Sequence, residues 1–296
     1  MKLVLRVIAL SLLVCCAVQS QTAATNPRPF PAPADRYFGQ KPPGAEPEMF
    51  APGIISRDGH FEHSAAVYSP DMREVYWSAL DREQGYYKIY FIRFVNGEWT
   101  APEVVPFLDE NRGELGPAFS PDGNKLYFDM NRDIWVVERE GDGWSAPALV
   151  SEVSDSSHYE HICGVTADGS LFFIRYLSSP GTDELYVSRK TGGEYAKPEK
   201  LGKDFRSGYM RLGAVFVAPD ESYMIIELQI DRGTAALFAC YRMGDGSWSD
   251  IVELPLGWAR FPFVTPDGKY IIFMRREGIY WASAAIIDEL RPAELK

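Results

Sequence analysis

The chain has four histidines, and all of them stand in two copies of one phrase, His60-Phe61-Glu62-His63 and His158-Tyr159-Glu160-His161. Imidazole beside carboxylate is the chemistry of zinc or manganese binding, or of proton transfer by a general acid and base. Within one copy the spacing suits a chelate poorly. On an extended strand His60 and Glu62 share a face while His63 points to the other. A divalent metal would need His63 and His161 to converge from separate parts of the chain, with Glu62, Glu114 or Glu160 completing the shell. No other cofactor is indicated, because no phosphate loop, nucleotide fingerprint or Ser-His-Asp arrangement is legible.

What positions these residues is a repeat. The phrases "VYSPDMREVYWS", "AFSPDGNKLYFD", "GVTADGSLFFIR", "FVAPDESYMIIE" and "FVTPDGKYIIFM" recur with Pro70, Pro121, Ala167, Pro219 and Pro266 in register, 51, 46, 52 and 47 residues apart. Each reads as a small, apolar strand, a tight turn at Pro-Asp-Gly, and a second strand rich in aromatic and β-branched residues. Two further strands follow, the last opening as "EWTAPEVV" or "GWSAPALV". A four-stranded unit at this period predicts radial repetition. Trp99, Trp144 and Trp248 fall on the outer strands, as packing between units. There are five turns but only four internal copies of the fourth strand. "MFAPGIIS" (49–56) reads like the missing one, so the N-terminal strand near Phe50–Ile55 is expected to close the ring.

The Ser-Pro-Asp-Gly turns followed by "KLYF" or "KYIIF" resemble the TolB-like, WD-like β-propeller repeat family. The resemblance covers roughly residues 50–290 and implies an all-β propeller, for which the five turns and the closing strand give five four-stranded blades. It implies scaffolds that bind proteins or ligands outside the cytoplasm, and a minority of enzymes. Asp71-Met72 and Asp220-Glu221 lack the glycine and Ala167 replaces the proline, which leaves the turn type open in those copies.

In a propeller the first strand of each blade lines the axis, and the residues ahead of it rim one end. Counting back from each turn collects Glu62, His63, Glu114, Glu160, His161, Arg211 and Arg260 as ligand-binding candidates expected at one channel mouth. The copies of the histidine phrase differ by one in register: His63 stands seven places before Pro70, and His161 six before Ala167. A one-residue slip turns a strand side chain to the opposite face, so the two histidines need not do the same work. The same residues could instead be plain surface ion pairs. The leading expectation is a binding protein for a protein partner or for a small or glycan ligand. The alternative is a carbohydrate-active enzyme, hydrolase or lyase, with Glu114, Glu160 and His161 as catalytic candidates and an arginine to neutralise a uronate.

The chain's ends and charge set the remaining bounds. Lys2 and Arg6 precede the apolar run "VIALSLLVCCAV", the pattern of a signal peptide over residues 1–20. The protein is accordingly expected to be exported, periplasmic or extracellular. Cys15 and Cys16 leave a lipid anchor open as the only tie to a membrane. Residues 21–49 read as a Pro-rich arm, and residues 50–296 as the propeller. With those cysteines removed, only Cys163 and Cys240 remain, and no disulfide is indicated. A net charge of −11 speaks against nucleic acid, whose binding rests on neutralising phosphates.

Overall fold

The computed structural model describes residues 35–57, 61–82, 85–108, 114–155, 157–176, 183–205 and 208–295. The expected signal peptide over residues 1–20, with Cys15 and Cys16, the arm up to residue 34 and His60 lie outside the described residues. Among those described, no helix is long and apolar enough to cross a membrane.

Among the described residues, five antiparallel sheets of four or five strands follow one another in chain order, and a two-stranded ribbon, Lys190–Thr191 with Glu194–Tyr195, accompanies the third. Blade 1 runs through Val67–Tyr68, Glu74–Asp81 and Tyr86–Val95, and blade 2 through Glu114–Phe119, Lys125–Met130 and Asp133–Glu140. Blade 3 comprises Tyr159–Val165, Leu171–Tyr176 and Glu184–Ser188, and blade 4 Arg211–Val217, Tyr223–Gln229 and Ala235–Tyr241. Blade 5 has Arg260–Val264, Tyr270–Arg275 and Gly278–Ser283. The outer strands are only two residues long, such as Glu103–Val104 and Val252–Glu253, so each blade shows a blunt edge that resists pairing with another chain.

The ring closes as expected in kind but a few residues early. Glu48–Met49, not Phe50–Ile55, pairs with Trp281 and Tyr280 as the outer strand of blade 5. Phe50 extends the ladder by one amide, donating to the Ile279 carbonyl at 2.8 Å. Its ring then turns inward, 0% exposed, against Trp281 and Tyr68. The end of the arm is docked: Tyr37 packs on Tyr68, Tyr270 and Trp281, and Phe38 on Trp99.

All five turns use one device. The aspartate after the turn residue accepts the amide two places on, from Asp71 to Arg73 at 3.0 Å through Asp267 to Lys269 at 3.3 Å. Gly123, Gly169 and Gly268 take positive φ at the tip, and Met72 (57°) and Glu221 (56°) take the same conformation without glycine. The departures in sequence therefore leave the turn unchanged and load strain on two side chains. Trp144 packs between blades, its Nε1–H donating to the Tyr76 hydroxyl at 3.0 Å.

Candidate functional site

The innermost strands must approach one another closely, and small residues let them. Gly164 faces Val217 of the next blade, where a Cβ would stand 3.7 Å from that residue's backbone. Along the axis they leave a cavity of about 680 Å³, within the range of small-molecule sites. Its walls are apolar, with Ala118, Ile162, Val215 and Phe263 among them. Pro219 and Pro266 at the turn end are exposed, whereas Ser64, His161, Ala214 and Phe261 at the other end are buried. The mouth is therefore on the turn face, opposite the end where the candidate rim was expected. Arg36 reaches that mouth and pairs with Asp267 at 3.2 Å.

One ionisable side chain sits on the cavity floor. His161 is 7% exposed and lines the cavity, and its Nδ1 is bonded to Asp129 Oδ2. The other carboxylate oxygen of Asp129 accepts the Ile162 amide at 2.9 Å. Burial alone would depress the histidine, but the Asp129 charge and hydrogen bond outweigh it and hold its pKa above the ordinary value. Burial pushes Asp129 up as well, against the pull of His161 and the Ile162 amide. Both shifts favour a pair that keeps a proton. Gly116 makes room for it: at φ 62°, a Cβ there would lie 2.9 Å from His161 Cε1.

Glu227 repeats the arrangement two blades on. It is 0% exposed, accepts the Phe261 amide at 3.1 Å and binds Arg260 Nε at 2.6 Å. Neither Asp129 nor Glu227 was among the sequence candidates. The signal for them is a lone carboxylate at the same repeat position of "KLYFDM" and "YMIIEL", within otherwise apolar strands.

The expected rim set does not share one opening. His63 lies near Arg260 and His161, and its ring packs at a tilt between Tyr87 and Phe261 at 4.7 and 4.8 Å. It does not line the cavity, as the one-residue slip implies, and Ser64 takes the place equivalent to His161. Burial, with the charges of Arg260 and His161, lowers its pKa to about 4. Glu160 is fully buried and paired with Arg175 at 2.9 Å. Glu62 is 5% exposed, and burial raises its pKa. Arg211 pairs with Asp183 at 3.2 Å and covers the Tyr176 ring. His158 bonds Asp155 at 3.1 Å on the surface. The Glu114 side chain lies outside the described residues. Among the described residues, no three His, Cys, Asp or Glu come together in a metal-holding group. Cys163 and Cys240 are free thiols, and burial pushes the Cys163 thiol far up, which makes it a poor nucleophile.

No protein-family model matches the chain, and no curated protein matches it. Solved structures do. TolB from Acinetobacter baumannii aligns at 14% identity and TM-score 0.46, covering 75% of this chain and 53% of that one. A protein of Agrobacterium tumefaciens assigned as TolB aligns at 16% and 0.47, covering 72% and 69%. A Hadza microbial sialidase aligns at 12% and 0.40, covering 68% and 50%. The chain thus spans about half the length of the Acinetobacter TolB that it matches. At these identities the likeness concerns the fold alone: the chain is structurally similar to TolB-like β-propellers.

Proposed function

We propose that this is an exported binding propeller that takes a small molecule into its central cavity through the turn-face mouth. The carrying observation is the cavity itself: about 680 Å³, walled by Ala, Val, Ile and Phe side chains, with one buried imidazole on its floor. Apolar walls with a few placed polar groups are the usual make-up of a small-molecule site. Such walls suit a compact apolar ligand better than a glycan, whose hydroxyls would be desolvated without partners. The carbohydrate-active alternative draws no support from Glu62 and Glu160, both buried off the cavity lining. Export rests on Lys2, Arg6 and the apolar run to Val18, and cell fractionation checks it.

The binding test is a ligand-observed NMR screen of the wild-type protein against neutral ring compounds and against oligosaccharides. Ala118→Phe serves as a cavity-filling control. Binding of ring compounds that Ala118→Phe abolishes supports the reading. Binding that survives the substitution, or binding of oligosaccharides alone, overturns it.

A further inference from the structure

The floor of the cavity also states what the ligand must offer, and this step rests on the proposed binding role. His161 and Asp129 are enclosed together, 7% and 2% exposed. A pair removed from water in this way is least costly with no net charge. Such a pair carries two protons. One lies between Nδ1 and Oδ2, on either atom, and the other then has to be on Nε2. If the bridging proton sits on the imidazole, the ring is a cation with both nitrogens protonated. If it sits on the carboxyl group, Nδ1 is the acceptor and Nε2–H is the neutral tautomer. Both cases leave Nε2–H as a donor on a ring that lines the cavity.

Glu227, Ser64 and Cys163 nearby have partners of their own, and the charge balance around the pair is unchanged. Glu227 and Arg260 neutralise each other at 2.6 Å. His63, held at a pKa of about 4, is neutral. The Ser64 hydroxyl donates to the Ala65 carbonyl at 2.8 Å, and the Cys163 thiol to the His161 carbonyl at 3.6 Å. Tyr159 lies on the Asp129 side of the pair. A donor at an apolar cavity wall is best satisfied by an acceptor that enters the cavity, so a ligand gains by supplying one. A carboxylate would supply one at the cost of an uncompensated buried charge.

We propose that the cavity binds a small neutral carbonyl compound, such as a ketone, ester or lactone on an apolar body, with its oxygen accepting the His161 Nε2–H. The test compares three probes of one shape by isothermal titration of the wild-type protein at pH 7: 4-phenylbutan-2-one, n-butylbenzene and 3-phenylpropanoate. The ketone is expected to bind about tenfold or more tighter than the hydrocarbon, with the carboxylate weakest. In His161→Met the ketone should fall to the level of the hydrocarbon. Equal binding of ketone and hydrocarbon, or a preference for the carboxylate, overturns the inference while leaving the cavity role standing. Failure of all three probes overturns both. Because His161→Met strands Asp129 and can unfold the protein, nitrogen-15 NMR of the wild-type imidazole gives a second reading. A proton on Nε2 whose shift moves with added ketone supports the inference, and a bare Nε2 overturns it.

Discussion

Asp129 and Glu227 occupy the same position in alternate blades, eight residues beyond Pro121 and Pro219, and each carboxylate reaches across to the innermost strand of the next blade. Asp129 holds His161 and the Ile162 amide, and Glu227 holds Arg260 and the Phe261 amide. The device serves packing and site at once, since it ties neighbouring blades at the axis and sets the one imidazole on the cavity floor.

Removing either carboxylate leaves a buried partner and an amide without an acceptor. Asp129→Ala and Glu227→Ala are each expected to cost about 3 kcal/mol or more. Urea midpoints measured beside the exposed edge-strand change Glu253→Ala provide the check, since that control should stay within about 0.5 kcal/mol. Midpoints that match the control would refute the inter-blade role.

Gly213 touches the second of these carboxylates. A Cβ there would lie 2.4 Å from Glu227 Cδ, and Glu227 cannot withdraw without losing Arg260 and Phe261. Gly213→Ala should therefore cost about 2–3 kcal/mol through overpacking. Gly44→Ala, with nothing within 4 Å of the new atom, should be near neutral. Thermal unfolding of the two variants side by side tells them apart.

His63 should make the fold sensitive to acid. Its folded pKa is about 4 against an ordinary 6.5, so below pH 6.5 the unfolded chain takes up a proton that the folded one refuses. Stability is then lost as pH falls from 6.5 to 4, by at most about 3 kcal/mol. His161 acts in the opposite sense, because its raised pKa gives stability that is present below pH 6.5 and is lost as pH rises through the folded value. His63→Phe, which keeps the aromatic contact with Tyr87 and Phe261, should flatten the acid limb of a stability–pH profile. An unchanged limb would assign the acid loss to other groups.

Phe50 tests the closure. Truncating a ring that is 0% exposed at the seam of the propeller should cost about 3–5 kcal/mol in Phe50→Ala. Val104→Ala, on the exposed outer edge of blade 1, should cost little. Denaturation followed by tryptophan fluorescence reads both, with Trp281 beside Phe50 as the reporter.

The turns were legible because Pro, Asp and Gly act within four residues, through φ and through a side-chain bond to the backbone. Five such turns at one period, with apolar strands between them, carried the blade count and the closure of the ring. The closing strand was legible from "MFAPGIIS", and the structure sets its pairing at Glu48–Met49, with the Phe50 amide continuing the ladder. Met72 and Glu221 show the converse, a turn kept despite residues that local preference disfavours.

The site divides in the same way. The sequence by itself determined that histidine and carboxylate stand ahead of the innermost strands, and that the two histidine phrases differ by one residue in register. Only the tertiary structure decided which of them reach the axis. His161 lines the cavity and His63 turns in between Tyr87 and Phe261, because strand side chains alternate and the slip changes the face. It also decided that Glu160, Arg211 and Arg260 are paired, and that Asp129, unremarked within an apolar strand, is the partner of His161. Those pairings join residues of different strands, and in most cases of different blades, and they form only when the sheets pack around one axis.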